Sequence, residues 1–162
     1  MGSTVTAEIR PLSPEDIDTL VAMESANQPR PWSEGVFNDE LAADSRIYLG
    51  VVDGESLYGF GGMILSGDEA HITNLLVAPD QRRKGFARRL MVGLIDVALD
   101  KGARHLTLEV RSRNQAGISL YQRFGMAPVG VRKGYYGDDD ALILWVHDID
   151  SSLYGAKLDS LR

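Results

Sequence analysis

Three apolar segments follow one another in this chain with no helical pattern between them: RIYLGVVD at residues 46–53, SLYGFGGMILSG at 56–67 and HITNLLVA at 71–78. Each reads as a strand, and the Asp53-Gly54 pair after the first is a hairpin signal. Three consecutive strands break the strand–helix alternation that a doubly wound dinucleotide fold requires, so that fold is disfavoured. TAEIR, alternating apolar and polar residues up to Pro11, predicts an earlier strand. Two helices are expected between it and the triplet. SPEDIDTLVAMESAN offers Ser13 as N-cap, Pro14 at the first helical position and Asp16 near the capping-box site. After a QPRPW break, SEGVFNDELAA offers Ser33 as a cap, with Trp32 placed to staple onto Phe37 one turn later.

Beyond the triplet, GFARRLMVGLIDVALDKG predicts the longest helix. Ala87, Leu90, Met91, Leu94, Ile95 and Ala98 fall at three- and four-residue spacing, and Gly102 suits the position just past its end. ARHLTLEVR reads as a strand, NQAGISLYQRFG as a helix stopped by Gly125, and PVGVRKGYY with ALILWVHDI as a closing pair of strands. The expected fold is α+β: a mostly antiparallel, twisted sheet of six to seven strands flanked by about four helices. Residues 1–150 are expected to form one domain, with 151–162 a tail of no assigned role.

Composition narrows the chemistry. The chain has no cysteine, which removes disulfides, thiolate metal sites and a cysteine nucleophile. His71, His105 and His147 do not stand at metal-ligand spacing, so no metal is expected. No apolar run has the length of a membrane span and no secretory signal opens the chain, which predicts a cytoplasmic protein without a membrane partner. MGSTVT fits the N-myristoylation pattern at Gly2 and Thr6, a pattern short enough to arise by chance.

Against a formal net charge of −6, residues 77–91 (VAPDQRRKGFARRLM) gather Arg82, Arg83, Lys84, Arg88 and Arg89. The stretch runs from a strand end into a helix N-terminus, where main-chain N–H groups and the macrodipole favour an anion. Gly85 lets the backbone come close to a ligand. Cations at that helix end oppose the dipole unless a polyanion such as pyrophosphate neutralises them. Residue type alone leaves a solvated basic face equally open. A nucleic-acid footprint is disfavoured, because the domain is acidic and no aromatics are interleaved.

The stretch V77-A-P-D-Q-R82-R-K-G85-F-A87 resembles the acetyl-CoA-binding motif of the GNAT acetyltransferases: Gln or Arg, two residues, Gly, one residue, then Gly or Ala. Arg82, Gly85 and Ala87 occupy those positions, and the likeness in element order extends over roughly residues 5–148. The resemblance implies acetyl-CoA as co-substrate, with Leu75, Leu76 and Val77 along its pantetheine arm. It also implies that Arg82, Arg83, Lys84, Gly85, Phe86 and Ala87 hold the pyrophosphate.

Acetyl transfer from a thioester to an amine needs a neutral amine, donors for the oxyanion and a departing thiolate. An α-amino group, with a reference pKa of about 8, costs only about 1 kcal/mol to deprotonate at neutral pH, while a lysine near 10.4 costs several. Glu109 in TLEVR is a candidate base: pattern alone puts it on the polar side of a strand, and partial burial would make it a stronger base. Tyr121, seven residues after Asn114 and on the same helical face, is the second candidate; otherwise it is a core aromatic with a wet hydroxyl.

LEVRSRNQAGISLYQRFGM is similar to the corresponding segment of the RimI-type branch, which acetylates the N-terminal alanine of a small-subunit ribosomal protein. That resemblance implies Glu109 as base, Tyr121 as proton donor and Asn114 as a cofactor contact. PWSEGVF and VRKGYYGDDDALIL resemble segments that flank the peptide groove, which implies Trp32 and Tyr135 as acceptor contacts. The loop at Asp138 to Asp140 departs from the pattern in being short. A protein N-terminus is thus the expected acceptor. A small amine or a lysine side chain is the alternative, and a non-catalytic acyl-CoA-binding module, which would lack the Glu or the Tyr, comes third.

Overall fold

The computed structural model describes residues 7–162; Gly2 and Thr6 of the acylation pattern lie outside the described residues. The elements are β1 (Glu8–Pro11), α1 (Ile17–Asn27), α2 (Glu34–Ala42), β2 (Arg46–Asp53), β3 (Ser56–Ser66), β4 (Glu69–Val77), α3 (Phe86–Asp100), β5 (His105–Arg111), α4 (Gln115–Arg123), β6 (Ala127–Arg132), β7 (Ala141–His147) and α5 (Ser152–Leu161). The seven strands are hydrogen-bonded in the order β1-β2-β3-β4-β5-β7-β6. The sheet is mixed: β1 with β2, β5 with β7 and β6 with β7 are antiparallel, while β4 and β5 are parallel. A parallel pair needs a long crossover connection, and the fifteen residues of α3 supply it. Among the described residues, no helix is long and apolar enough to cross a membrane.

Two starts and stops differ from expectation. The helix expected to begin at Pro14 opens instead with a 3₁₀ turn, Pro14–Asp16, and becomes α-helical at Ile17. Asp16 accepts from the Ser13 N–H at 2.9 Å and is clamped by Arg10 at 2.9 and 3.0 Å, which holds the first turn tight. Residues 151–162, to which pattern assigned no element, contain a fifth helix, α5.

The described chain divides into two compact units. The first takes residues up to Met63 together with Asn74–Leu94. Its core joins Leu12, Ile17, Leu20, Phe37, Tyr48, Phe60 and Leu76. The staple at the head of α2 is present: Ser33 Oγ accepts from the Val36 N–H at 3.2 Å, and the Trp32 and Phe37 rings lie 5.4 Å apart. Leu90, Met91 and Leu94 of α3 are fully buried. Helix and strand approach closely here, since a Cβ placed on Gly61 would stand 2.9 Å from Leu94 Cδ1.

The second unit takes Ile64–Thr73 and Ile95–Arg162. Leu106, Leu108, Phe124, Met126, Leu144 and Ile149 are buried in it. Ser151 caps α5 by accepting from the Tyr154 N–H at 3.1 Å, and Tyr154, Leu158 and Leu161 form its buried stripe at helical spacing. The Tyr154 hydroxyl donates to the Phe124 carbonyl at 2.6 Å, and Arg162 forks onto Asp96 at 2.7 and 2.9 Å. Leu158→Ala should therefore cost about 2–4 kcal/mol, read as a lowered urea midpoint. An unchanged midpoint would show that this helix does not pack as described.

Candidate active site

After β4 ends at Val77 the chain makes a 3₁₀ turn, Pro79–Gln81, and then departs from right-handed backbone. Arg83 has φ of 65° and Gly85 φ of 80°. Gly85 accepts the first α3 hydrogen bond, from the Arg89 N–H at 3.0 Å, so the amides of Phe86 and Ala87 head the helix. Left-handed positions alternating into a helix start turn successive N–H groups toward one concavity, an anion-binding arrangement. A non-glycine residue held at positive φ costs about 1 kcal/mol or more, and Arg83 bears that strain in this turn. At Gly85 a side chain would be strained as well, and its Cβ would stand 3.0 Å from an Arg88 guanidinium nitrogen.

The basic cluster of the sequence splits in space. Arg82, Arg83 and Lys84 are exposed. Arg82 Nε donates to the Val77 carbonyl at 3.2 Å and Lys84 Nζ to Gln81 at 2.9 Å, which fixes the turn from both sides. Arg89 serves the fold: it donates to the Ala7 carbonyl at 3.0 Å and lies 5.9 Å over the Phe86 ring. Phe86 is buried and stacks on Tyr58 at 5.7 Å. Leu76 and Val77 are buried and Leu75 is half-buried, so the side chain of Leu76 belongs to the core. The register of β4 with β5 runs from Glu69–His105 to Ile72–Leu108, and Leu75, Leu76 and Val77 lie past its last pair.

Glu109 follows that last pair on β5. Its side chain is only 14% exposed, although strand alternation puts it on the polar side. His71 Nε2 stands 2.6 Å from Glu109 Oε2, and Arg132 Nε 3.8 Å from Oε1. The register explains the first contact: His71 pairs with Thr107, two residues before Glu109 on the same face of β5. The Tyr136 hydroxyl donates to the Glu109 carbonyl at 3.3 Å. Burial, then the neighbouring Tyr135 and Glu109, push the Tyr136 hydroxyl above the ordinary tyrosine range.

Tyr121 is 7% exposed on α4. Burial, and secondarily Tyr136, push its hydroxyl well above the ordinary tyrosine value. Full proton transfer to a thiolate would need a shift in the other direction, so this hydroxyl is suited to donate a hydrogen bond and keep its proton. Asn114 is the N-cap of α4, its Oδ1 accepting from the Gly117 N–H at 2.9 Å. Trp32, in the first unit, is half-buried and donates its main-chain N–H to Glu24 Oε2 at 3.0 Å. Tyr135, in the second unit, is 54% exposed, edge-on to Tyr136 at 5.0 Å.

The short Asp138–Asp140 loop is stapled by its own carboxylates. Asp138 accepts from Arg111 at 2.7 Å; Asp139 accepts from the Ser112 hydroxyl and from the Arg113 N–H at 3.1 Å; Asp140 accepts from the Gly134 N–H at 2.8 Å. Those first-named partners hold the three carboxyls below the usual carboxylate range. The staples are therefore complete at neutral pH and dissolve only as pH falls through the lowered values. His71, Arg132 and Tyr136, none of them singled out by pattern, complete the surroundings of Glu109. No local spacing signals His71, whose distance of 38 residues from Glu109 is closed only by sheet register.

The Acetyltransferase (GNAT) family matches residues 16–126. The [ribosomal protein bS18]-alanine N-acetyltransferase of Salmonella typhimurium is 33% identical over 146 residues, covering 82% of this chain and 92% of that protein. The crystal structure of the ribosomal-protein-S18-alanine N-acetyltransferase from Escherichia coli superposes with a TM-score of 0.81 at 29% identity, over 88% of this chain and 94% of that one. Arabidopsis thaliana NAA60, solved in complex with acetyl-CoA, shares the fold at a TM-score of 0.80 and 21% identity, over 90% of this chain and 100% of that one. The turn that heads α3, the mixed seven-stranded sheet and the family match lead to one conclusion: this chain belongs to the GNAT family of acetyltransferases.

Proposed function

We propose that this chain transfers the acetyl group of acetyl-CoA to the α-amino group of a protein that begins with alanine, most specifically a bS18-type ribosomal protein. The half-buried Glu109 carboxylate carries the reading, because it supplies a base to an amine. The names of the Salmonella and Escherichia relatives support the acceptor.

In this mechanism the amides of Phe86 and Ala87, with Arg82, Arg83, Lys84 and the open approach at Gly85, hold the diphosphate of acetyl-CoA. The main chain at Leu75, Leu76 and Val77 runs along the pantetheine arm and supplies an N–H to the oxyanion. Asn114, whose Oδ1 is committed to capping α4, offers its amide N–H₂ to the cofactor. Glu109 takes a proton from the acceptor ammonium, and the freed nitrogen lone pair attacks the thioester carbonyl. The nitrogen of the tetrahedral adduct gives up its second proton to solvent, and collapse of the adduct breaks the C–S bond. Tyr121 donates a hydrogen bond to the departing thiolate, which takes its proton from solvent. Trp32 and Tyr135 contact the acceptor peptide.

Free-thiol release from acetyl-CoA should require an alanine-leading peptide with a free N-terminus and should vanish with the same peptide N-blocked. Release with polyamines or with lysine side chains of the blocked peptide, and none with the free N-terminus, would refute the acceptor; binding of acetyl-CoA without turnover would refute the enzyme. Tyr121→Phe should lower kcat by roughly tenfold or more while leaving acetyl-CoA affinity within about twofold, as expected for an interaction made in the transition state. Equal losses in both would mark Tyr121 as structural.

A further inference from the structure

Among the described residues, the Glu109 carboxylate has one side-chain hydrogen-bond partner, His71, at 2.6 Å between Nε2 and Oε2. No other described side chain hydrogen-bonds the carboxylate, although Arg132 makes a long ion pair with its second oxygen. Tyr136 bonds the main-chain carbonyl of Glu109, and Arg132 Nε, at 3.8 Å from Oε1, is beyond hydrogen-bond distance. Across the sheet, the β7 residue in register with Glu109 is Ile143, which has no polar side-chain atom. A nitrogen and an oxygen at 2.6 Å share one proton. For Glu109 to receive a proton from an amine it must be ionised, so that shared proton belongs to His71 Nε2, leaving Nδ1 as the imidazole's other face.

We infer that His71 is a positioning residue for acetyl transfer: by donating Nε2–H to Oε2 it fixes the Glu109 carboxylate and reserves Oε1 as the proton-accepting oxygen. The inference rests on the reading of Glu109 as the base. A carboxylate on three rotatable side-chain bonds presents either oxygen over a wide arc, and a proton transfer needs a donor–acceptor separation near 2.6–3.2 Å. Tying Oε2 to a neighbouring strand removes that freedom before the acceptor arrives. His71 is 37% exposed and Glu109 14%, so the imidazole also shields one side of the carboxylate from water without being locked into the core. His71 exchanges no proton with the acceptor; it acts through Glu109.

The test compares His71→Ala, His71→Gln and Glu109→Gln with the wild type, using acetyl-CoA and an alanine-leading peptide, and records the tautomer of His71 in the wild type by long-range ¹H–¹⁵N correlation. Glu109→Gln should lower kcat by about 10²–10⁴-fold. His71→Ala should lower kcat roughly 10- to 100-fold with the KM for acetyl-CoA unchanged, the scale expected when a catalytic group is misplaced. His71→Gln, whose amide can still donate to Oε2, should recover most of that loss. The neutral imidazole of the wild type should carry its proton on Nε2. Wild-type kcat in His71→Ala, failure of Gln to recover a folded Ala variant's loss, or an imidazole whose only proton is on Nδ1 would each overturn the positioning role while leaving Glu109 as base. Wild-type turnover in Glu109→Gln would overturn the base itself, and the inference with it. The tautomer reading stands even if a His71 variant fails to fold.

Discussion

Gripping a diphosphate with main-chain amides is something right-handed backbone does poorly, because its N–H groups do not converge. The Arg83–Gly85 turn has two left-handed positions immediately before α3, an arrangement suited to an anion. Placing arginine in one of them is costly, and the structure around it over-determines the turn: Arg82 bonds the end of β4, Lys84 bonds Gln81, and Gly85 begins the α3 ladder. The amphipathic length of α3, with Leu90, Met91 and Leu94 fully buried, anchors the helix whose positive end the ligand would meet. Cations at that end are unfavourable in isolation and favourable beside a polyanion.

The chemistry around Glu109 follows from how the second unit is paired. The β4–β5 register sets His71 beside Thr107 and hence within reach of Glu109. The loop before β7 is fixed by Asp138, Asp139 and Asp140, and it carries Tyr136 onto the Glu109 main chain. Burial raises the Tyr121 hydroxyl, which suits it to donate to a thiolate and not to surrender its proton. A CoA thiolate, whose thiol has a cysteine-like pKa of about 8.5, would in any case be a weaker base than tyrosinate, so proton retention by the tyrosine is the consistent outcome.

Much of this architecture was legible from local rules. The Trp32–Ser33–Phe37 staple, the hairpin turn at Gly54 and the reach of α3 each depend on residues close in sequence, and each is present. What pattern missed depends on long-range register or on weak stripes. The alternation in HLTLEVR puts Thr107 and Glu109 on the polar side, yet Thr107 is 9% exposed and bonds the Leu144 carbonyl, so that side is not water. α5 shows three apolar positions interrupted by Gly155, too faint a stripe to stand out, although Ser151 was a cap in plain view. The five-cation cluster read as one site, but Arg89 is engaged with the Ala7 carbonyl.

Calorimetric titration of the protein with acetyl-CoA and with acetyl-pantetheine, which keeps the thioester and lacks the diphosphate, tests the central claim most directly. Acetyl-CoA should bind with measurable heat, and acetyl-pantetheine should bind at least about tenfold more weakly, the least that losing a charge-assisted phosphate grip would cost. Equal affinity for the two, or no heat with acetyl-CoA, would contradict the assignment of the turn at Gly85 as the diphosphate site.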